Sequence, residues 1–175
     1  MQILHGEKNL IFYSKFQGGI WTLIIFIGLV IDIILRLESI HNKNYIHRDF
    51  HSGNILSMTI DEWWWYIGDL GLSQPANSTS NNEIYGVIPY IAPEIFKGAA
   101  FSKESDIYSM GMVMWKLTTG CKPFANVEHN TDLIYEIIDG KRPEITSDTP
   151  ECFANLMKRC WDSDPLKRPS ILEIK

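Results

Sequence analysis

Residues 47–54 read His47-Arg48-Asp49-Phe50-His51-Ser52-Gly53-Asn54. The stretch is densely polar, lacks a helical repeat of apolar residues and carries a glycine, so residues 44–54 read as a loop. His47 and His51 stand four apart, a spacing that suits a metal pair only on a helix, and the loop does not provide that geometry. Just beyond, Ile55 to Met58 and Trp64 to Ile67 are short strand candidates around a turn at Asp61-Glu62. The Trp63-Trp64-Trp65 run has no basic neighbours, so it reads as a strand packing alternate residues on the core rather than a base-stacking platform. Residues 73–83, SQPANSTSNNE, have the composition of a mobile surface loop.

The flanks are mainly helical in pattern. Over 22–41, Ile33, Leu37 and Ile40 share one face, and Asp32 can pair with Arg36 at i, i+4. Residues 103–119 carry Ile107, Met110, Met114 and Leu117 on one stripe, Gly111 allows a close neighbour, and Gly120 and Pro123 close the helix. Two further helices are expected over 130–139, with Gly140 beyond its end, and over 150–161, with Pro150 in the first turn.

Bulk properties bound the rest. The 175 residues suffice for one domain with a real core; 45% are hydrophobic and 21% charged, as in ordinary globular proteins. A net charge of −5 gives no basic field for nucleic acid and serves solubility. Cys121, Cys152 and Cys160 form no C-x-x-C pair, which argues against a zinc site or disulfide framework and for free thiols in a reducing cytosol. The apolar run 20–31, IWTLIIFIGLVI, falls short of the about 20 residues a membrane helix needs. It reads as a buried core helix, with a membrane-associated segment as the alternative.

Four ordered motifs surround the opening one. Gly68-Asp69-Leu70-Gly71 follows it, then Ala92-Pro93-Glu94, then Ser105-Asp106-Ile107-Tyr108-Ser109-Met110-Gly111, then Trp161 with Asp164-Pro165, Arg168 and Pro169. Together with His47-Arg48-Asp49 and Asn54 they resemble the protein kinase family: the H-R-D-x-x-x-x-N catalytic loop, D-F-G with Leu70 in place of Phe, A-P-E, the central buried helix, and W-x-x-D-P-x-x-R-P. The sequence around Asp49 is most similar to tyrosine-kinase-like serine/threonine kinases.

The resemblance implies an α+β, mostly α fold: a large, C-terminal kinase lobe with small β-hairpins and without the N-terminal lobe. It would occupy residues 20–175, leaving 1–19 unassigned or a hinge remnant. It implies ATP and Mg2+ as cofactors and a protein substrate. Asp49 would accept the proton of the attacking hydroxyl, with His47 and Arg48 beside it, and Asn54 and Asp69 would hold magnesium. Glu94 and Arg168 would form a structural ion pair, and Asp106 would hold the catalytic-loop backbone. Arg48 would receive a phosphate carried by Ser73, Ser78, Thr79, Ser80 or Tyr85, or else that segment is only a flexible loop.

The sequence also departs from the family pattern. His51 stands where serine/threonine kinases usually carry lysine, and Val87 follows Gly86 where they carry threonine. Neither is the tyrosine-kinase pattern, and the reading leans to Ser/Thr. No G-x-G-x-x-G or V-A-I-K precedes residue 20. The expectation is therefore a kinase fragment in the cytoplasm with little or no activity by itself. The alternative is a non-catalytic, pseudokinase-like binding module.

Overall fold

The computed structural model describes residues 19–57, 65–78 and 83–174. Its centre is a helix over Lys103–Thr119, and the rest is arranged around it. In chain order the elements are α1 Gly19–Asn42, β1 Tyr45–Ile46, β2 Ile55–Ser57, β3 Trp65–Ile67, β4 Gln74–Pro75, α2 Pro93–Phe96, α3 Lys103–Thr119, α4 Thr131–Ile138, α5 Glu151–Cys160 and α6 Ile171–Ile174. The mostly helical architecture with two small sheets agrees with the expected α+β class.

Local chemistry sets the limits of α3. Ser102 Oγ accepts from Ser105 N at 3.3 Å while Ser105 Oγ accepts from Ser102 N at 3.1 Å, a reciprocal capping box. Gly120 ends the helix in the left-handed region, at φ 69°. The expected stripe of Ile107, Met110, Met114 and Leu117 is buried, but so is every other residue from Ser105 to Thr118. A helix buried on all sides must satisfy its polar residues internally. Thus Ser109 Oγ donates to Tyr90 O at 2.6 Å, Thr118 Oγ1 to Trp115 O at 2.9 Å, and Lys116 Nζ to Ser52 Oγ at 2.8 Å.

Helix α1 packs one stripe inward: Leu29, Val30, Ile33, Ile34 and Leu37 are buried, while Ile27, Ile31 and Leu35 lie outside. The apolar run is thus buried in part where its side chains are described. Among the described residues no helix is long and apolar enough to cross a membrane. Asp32 does two jobs on the polar side. Its Oδ1 accepts from Arg36 Nη2 at 3.2 Å, as the spacing predicts, and its Oδ2 accepts from Trp65 N at 3.1 Å, which ties α1 to β3.

The strands form two antiparallel pairs. β2 and β3 pair Ile55 with Ile67, Leu56 with Tyr66 and Ser57 with Trp65, and bury Ile55 and Trp65. The expected turn at Asp61-Glu62, with Met58, Trp63 and Trp64, lies outside the described residues. β1 pairs with β4, placing Tyr45 opposite Pro75 and Ile46 opposite Gln74. Residues 74–75, expected in a mobile loop, are therefore fixed to the chain just before residue 47. Asn130 Oδ1 caps α4 by accepting from Asp132 N and Leu133 N, and Gly140 follows at φ 100°. Pro150 is the N-cap of α5 rather than a member of its first turn. Its φ, fixed by the ring, suits either position.

Helix α5 lies directly on α3. A Cβ on Gly111 would stand 3.0 Å from Cys160 Cβ and 3.4 Å from Trp161 N. Burial pushes the Cys160 thiol up to about 12, whereas Cys121 and Cys152 are free and exposed. Gly111→Val should lower stability by about 1–3 kcal/mol, because the contact is with helix backbone and Cβ that cannot swing aside. Urea denaturation of the two proteins measures the difference.

Candidate active site

The loop at residues 47–54 is positioned from beneath by α3. Asp106 is 1% exposed, and its Oδ2 accepts from His47 N at 2.8 Å while its Oδ1 accepts from Arg48 N at 3.0 Å. His41 Nε2, in the last turn of α1, donates to Oδ2 at 2.9 Å. Three donors on one carboxylate fix the backbone entering Asp49, including Arg48 in the left-handed region at φ 72°. His47 is fully buried, its Nδ1 accepts from Asp49 N at 3.3 Å, and its Nε2 then donates to Gly68 O at 3.1 Å. The ring meets Phe50 edge-on at 5.8 Å between centroids. His47 thereby joins the loop at residues 47–54 to the Gly68-Asp69 segment.

Asp49 sits at the mouth of this frame. Asn54 Nδ2 donates to Asp49 O at 2.8 Å and more weakly to Asp49 Oδ2 at 3.3 Å. His51 Nε2 faces Asp49 Oδ2 at 3.6 Å, long for a hydrogen bond but close for electrostatics. Gly53 N donates to His51 Nδ1 at 2.9 Å, so the neutral ring carries its proton on the Nε2 that faces Asp49. The His51 ring, against the opposing effect of burial, holds the Asp49 carboxyl below the usual carboxylate range, with help from Asn54 and His47. Asp49 Oδ1 is buried and has no hydrogen-bond donor among the described residues. It faces Gly86, where a Cβ would come within 3.0 Å at φ 109°. A side chain there would be strained and would press on that oxygen.

Asp69 is next to Gly68, whose N–H donates to Asn54 O at 2.7 Å. It is exposed, adopts φ 52°, and its Oδ1 accepts only a long 3.4 Å bond from Gly71 N. Asn54 makes its hydrogen bonds through Nδ2, and among the described residues its Oδ1 has none. The two residues therefore present hard oxygens from adjoining backbone. That fits Mg2+, which takes one or two protein ligands and fills its shell with phosphate and water. Among the described residues no group of three or more His, Cys, Asp or Glu could hold a metal by itself.

Arg48 has an aromatic rather than anionic surrounding. Its side chain is buried, with the guanidinium 4.9 Å from the Phe101 ring centroid and 5.8 Å from that of Tyr85. Ser73 Oγ donates to His47 O at 3.4 Å and Ser78 Oγ to Gln74 Oε1 at 3.1 Å. Of the expected phosphate acceptors, then, Tyr85 stacks on Arg48, Ser73 and Ser78 bond elsewhere, and Thr79 and Ser80 lie outside the described residues.

Glu94 and Arg168 meet in a two-pronged pair, Nη1 to Oε1 and Nη2 to Oε2 each at 2.7 Å. Arg168 also donates to Asp162 O and Glu104 O, so its buried charge is fully used. Sequence reading missed what lies between: Tyr108, buried, has the guanidinium of Arg142 at 5.0 Å and that of Arg168 at 5.2 Å from its ring. Its hydroxyl has no partner among the described residues, and burial pushes it up to about 12. His41 was missed as well, although an imidazole at the end of an otherwise apolar helix stripe was its signal.

A family model for protein tyrosine and serine/threonine kinases matches residues 20–175. The chain belongs to that family. It is 32% identical over 148 residues to a probable serine/threonine-protein kinase of Dictyostelium discoideum, covering 85% of this chain and 11% of that protein. It is 30% identical over 173 residues to mitogen-activated protein kinase kinase kinase 7 of Homo sapiens, covering 98% of this chain and 27% of that protein. A putative serine/threonine-protein kinase/receptor of Acanthamoeba polyphaga mimivirus is 33% identical over 143 residues, 80% of this chain and 9% of its own length. The chain thus spans well under a third of the relatives it matches. The mostly helical structure with small sheets fits the C-terminal lobe of a kinase domain.

The Asp49 carboxyl can be followed by NMR titration. A depressed folded-state value means that Asp49 stabilises the fold above its unfolded-state value and loses that contribution as pH falls through the folded one. Removing His51 leaves burial to act with less opposition. His51→Ala should therefore move the Asp49 titration to higher pH and shrink the stability that Asp49 loses on acidification. An unchanged Asp49 titration would show that His51 does not set it.

Proposed function

We propose that this chain is the large lobe of an ATP-dependent protein kinase and acts on serine or threonine hydroxyls in preference to tyrosine. The observation that carries the reading is Asp49: a carboxylate held on a rigid loop, with one buried oxygen left without a donor beside Asn54. The Asp49 carboxylate is where a substrate hydroxyl would bind and leave its proton as its oxygen attacks phosphorus. The low Asp49 value keeps the group ionised and suits it to orienting the hydroxyl. Magnesium-bound ATP supplies the phosphoryl group and has its charge neutralised by the metal.

The chain's own residues divide the remaining work. Asn54 Oδ1 and the Asp69 carboxylate would hold magnesium, with Asn54 also fixing Asp49 through its amide nitrogen. His47 keeps the two loops in register through Gly68. Arg48 buttresses the segment before Gly86 through Tyr85, and a phosphate on that segment would compete for the same guanidinium. The serine/threonine preference is supported by the names of the relatives. A cytosolic setting is supported by the free thiols Cys121, Cys152 and Cys160.

Neither a Gly-rich loop nor a phosphate-gripping lysine is found among the described residues, and those groups stabilise the transferring phosphoryl. The 175-residue chain by itself should therefore transfer phosphate at close to background rate. Joined to the small lobe of the human relative, residues 20–175 should phosphorylate a serine peptide in a magnesium-dependent reaction. Asp49→Asn should lower kcat by roughly a hundredfold or more. Transfer by the joined protein that survives Asp49→Asn, or that proceeds without magnesium, would contradict the assignment; robust transfer by the isolated chain would contradict the division of labour.

A further inference from the structure

A cleft of about 200 Å3 opens beside the catalytic loop, lined by His51, Tyr90, Lys116, Lys122, Pro123 and His129 among others, and no Asp or Glu lines it. This is unusual for a chain whose net charge is −5. Lys116 enters from within the core: its side chain is buried near the end of α3, and its Nζ donates to Ser52 Oγ at 2.8 Å. Ser52 Oγ in turn meets Tyr90 Oη at 3.1 Å, so the ammonium is part of a bonded network in the cleft wall. Lys122 and His129 come from the exposed segment between α3 and α4. Glu128, the acid nearest His129 in sequence, lies outside the lining and has Asn130 Nδ2 at 3.5 Å.

The position of the cleft matters as much as its charge. His51 belongs to its lining and also faces Asp49 Oδ2 at 3.6 Å. One imidazole therefore separates the proposed proton acceptor from the cationic lining. An extended peptide advances about 3.3–3.6 Å per residue. A substrate whose hydroxyl sits at Asp49 would thus place a neighbour only a few residues away in the cleft.

We infer that this cleft is a substrate subsite for an anionic side chain, so that the chain selects hydroxyl-bearing peptides with a carboxylate or a phosphate close to the acceptor residue. The inference deepens the kinase reading and rests on Asp49 as the site of the acceptor hydroxyl. Two ammonium groups attract the anion, and the polar wall gives it hydrogen-bond donors. The half-open setting makes the preference electrostatic and therefore sensitive to salt. Arginine at the same peptide position meets like charge and is rejected.

The test is fluorescence anisotropy with the purified 175-residue chain and labelled serine peptides that differ only beside the acceptor: Glu, phosphoserine, Ala or Arg. The Glu and phosphoserine peptides should each bind roughly tenfold tighter than the Ala peptide, and the Arg peptide more weakly than Ala. If only one anion gains, the cleft accepts that source alone. The preference should shrink as salt is raised. The double variant K122E/H129E changes two exposed residues, and with an unchanged thermal melt it should lose the preference for the anion. Equal binding of the Glu, phosphoserine and Ala peptides, a preference that survives in the double variant, or no saturable binding by any peptide would overturn the proposal. Phosphotransfer by the joined protein is measured with the same peptides. Retained preference without phosphotransfer in the joined protein would therefore count against the kinase reading alone, and phosphotransfer without preference would count against the subsite alone.

Discussion

Three N–H groups, two from one loop and one from the end of α1, converge on the buried carboxylate of Asp106. His47 N and Arg48 N arrive from the catalytic loop, and His41 Nε2 from the end of α1. A buried carboxylate without donors is costly, and loop amides without acceptors are costly too, so each side of this arrangement requires the other. The constraint propagates outward. With residues 47 and 48 fixed, the His47 ring reaches Gly68, Gly68 N reaches Asn54 O, and Asn54 reaches Asp49. The groups assigned to catalysis are therefore connected through a single carboxylate on a helix that no solvent touches between Ser105 and Thr118 in any substantial way.

A second fixed point lies on the other side of the same helix. Arg168 and Glu94 join the segment after Gly86 to the end of the chain, and Tyr108 is held between Arg168 and Arg142. Arg168 donates to Glu94 and to the carbonyls of Asp162 and Glu104, and Arg142 donates to three carbonyls and to Ser163 Oγ. Those bonds let two cations flank one buried ring. The Tyr108 hydroxyl is buried with no partner among the described residues. α3 thus carries the catalytic loop through Asp106 and anchors the Ala92-Pro93-Glu94 segment two residues further on, through Tyr108 and the arginines beside it.

Much of this was legible in the sequence because local chemistry dictated it. Gly120 and Pro123 mark the end of α3, and the structure closes the helix at Thr119. Asp32 and Arg36 pair because helix geometry brings i and i+4 together. The pairing of β1 with β4 was not legible. Strands of two residues show no period, and their register comes from tertiary placement. The stripe read on α3 was correct but incomplete, since periodicity cannot reveal a helix enclosed on every side. The residue types at 47–54 pointed to a site, and the family pattern suggested roles for them. The cationic cleft could not be foreseen, because Lys116 and Lys122 become neighbours of His51 only through the fold. The aromatic surroundings of Arg48 are likewise a product of Phe101 and Tyr85 meeting across the chain.

Amide hydrogen exchange at His47 and Arg48 tests the dependence on Asp106 most directly. In Asp106→Asn one acceptor oxygen becomes an N–H donor facing other donors, so at least one loop amide is left without its partner. In the parent chain both amides should exchange as slowly as the middle of α3. In the variant at least one of them should exchange roughly tenfold faster or more, a lost charge-assisted bond of about 1.5–3 kcal/mol, while the amides of Met110 to Met114 stay protected. Equal protection of His47 and Arg48 in both proteins, or no protection in the parent, would contradict the claim that this carboxylate carries the catalytic loop.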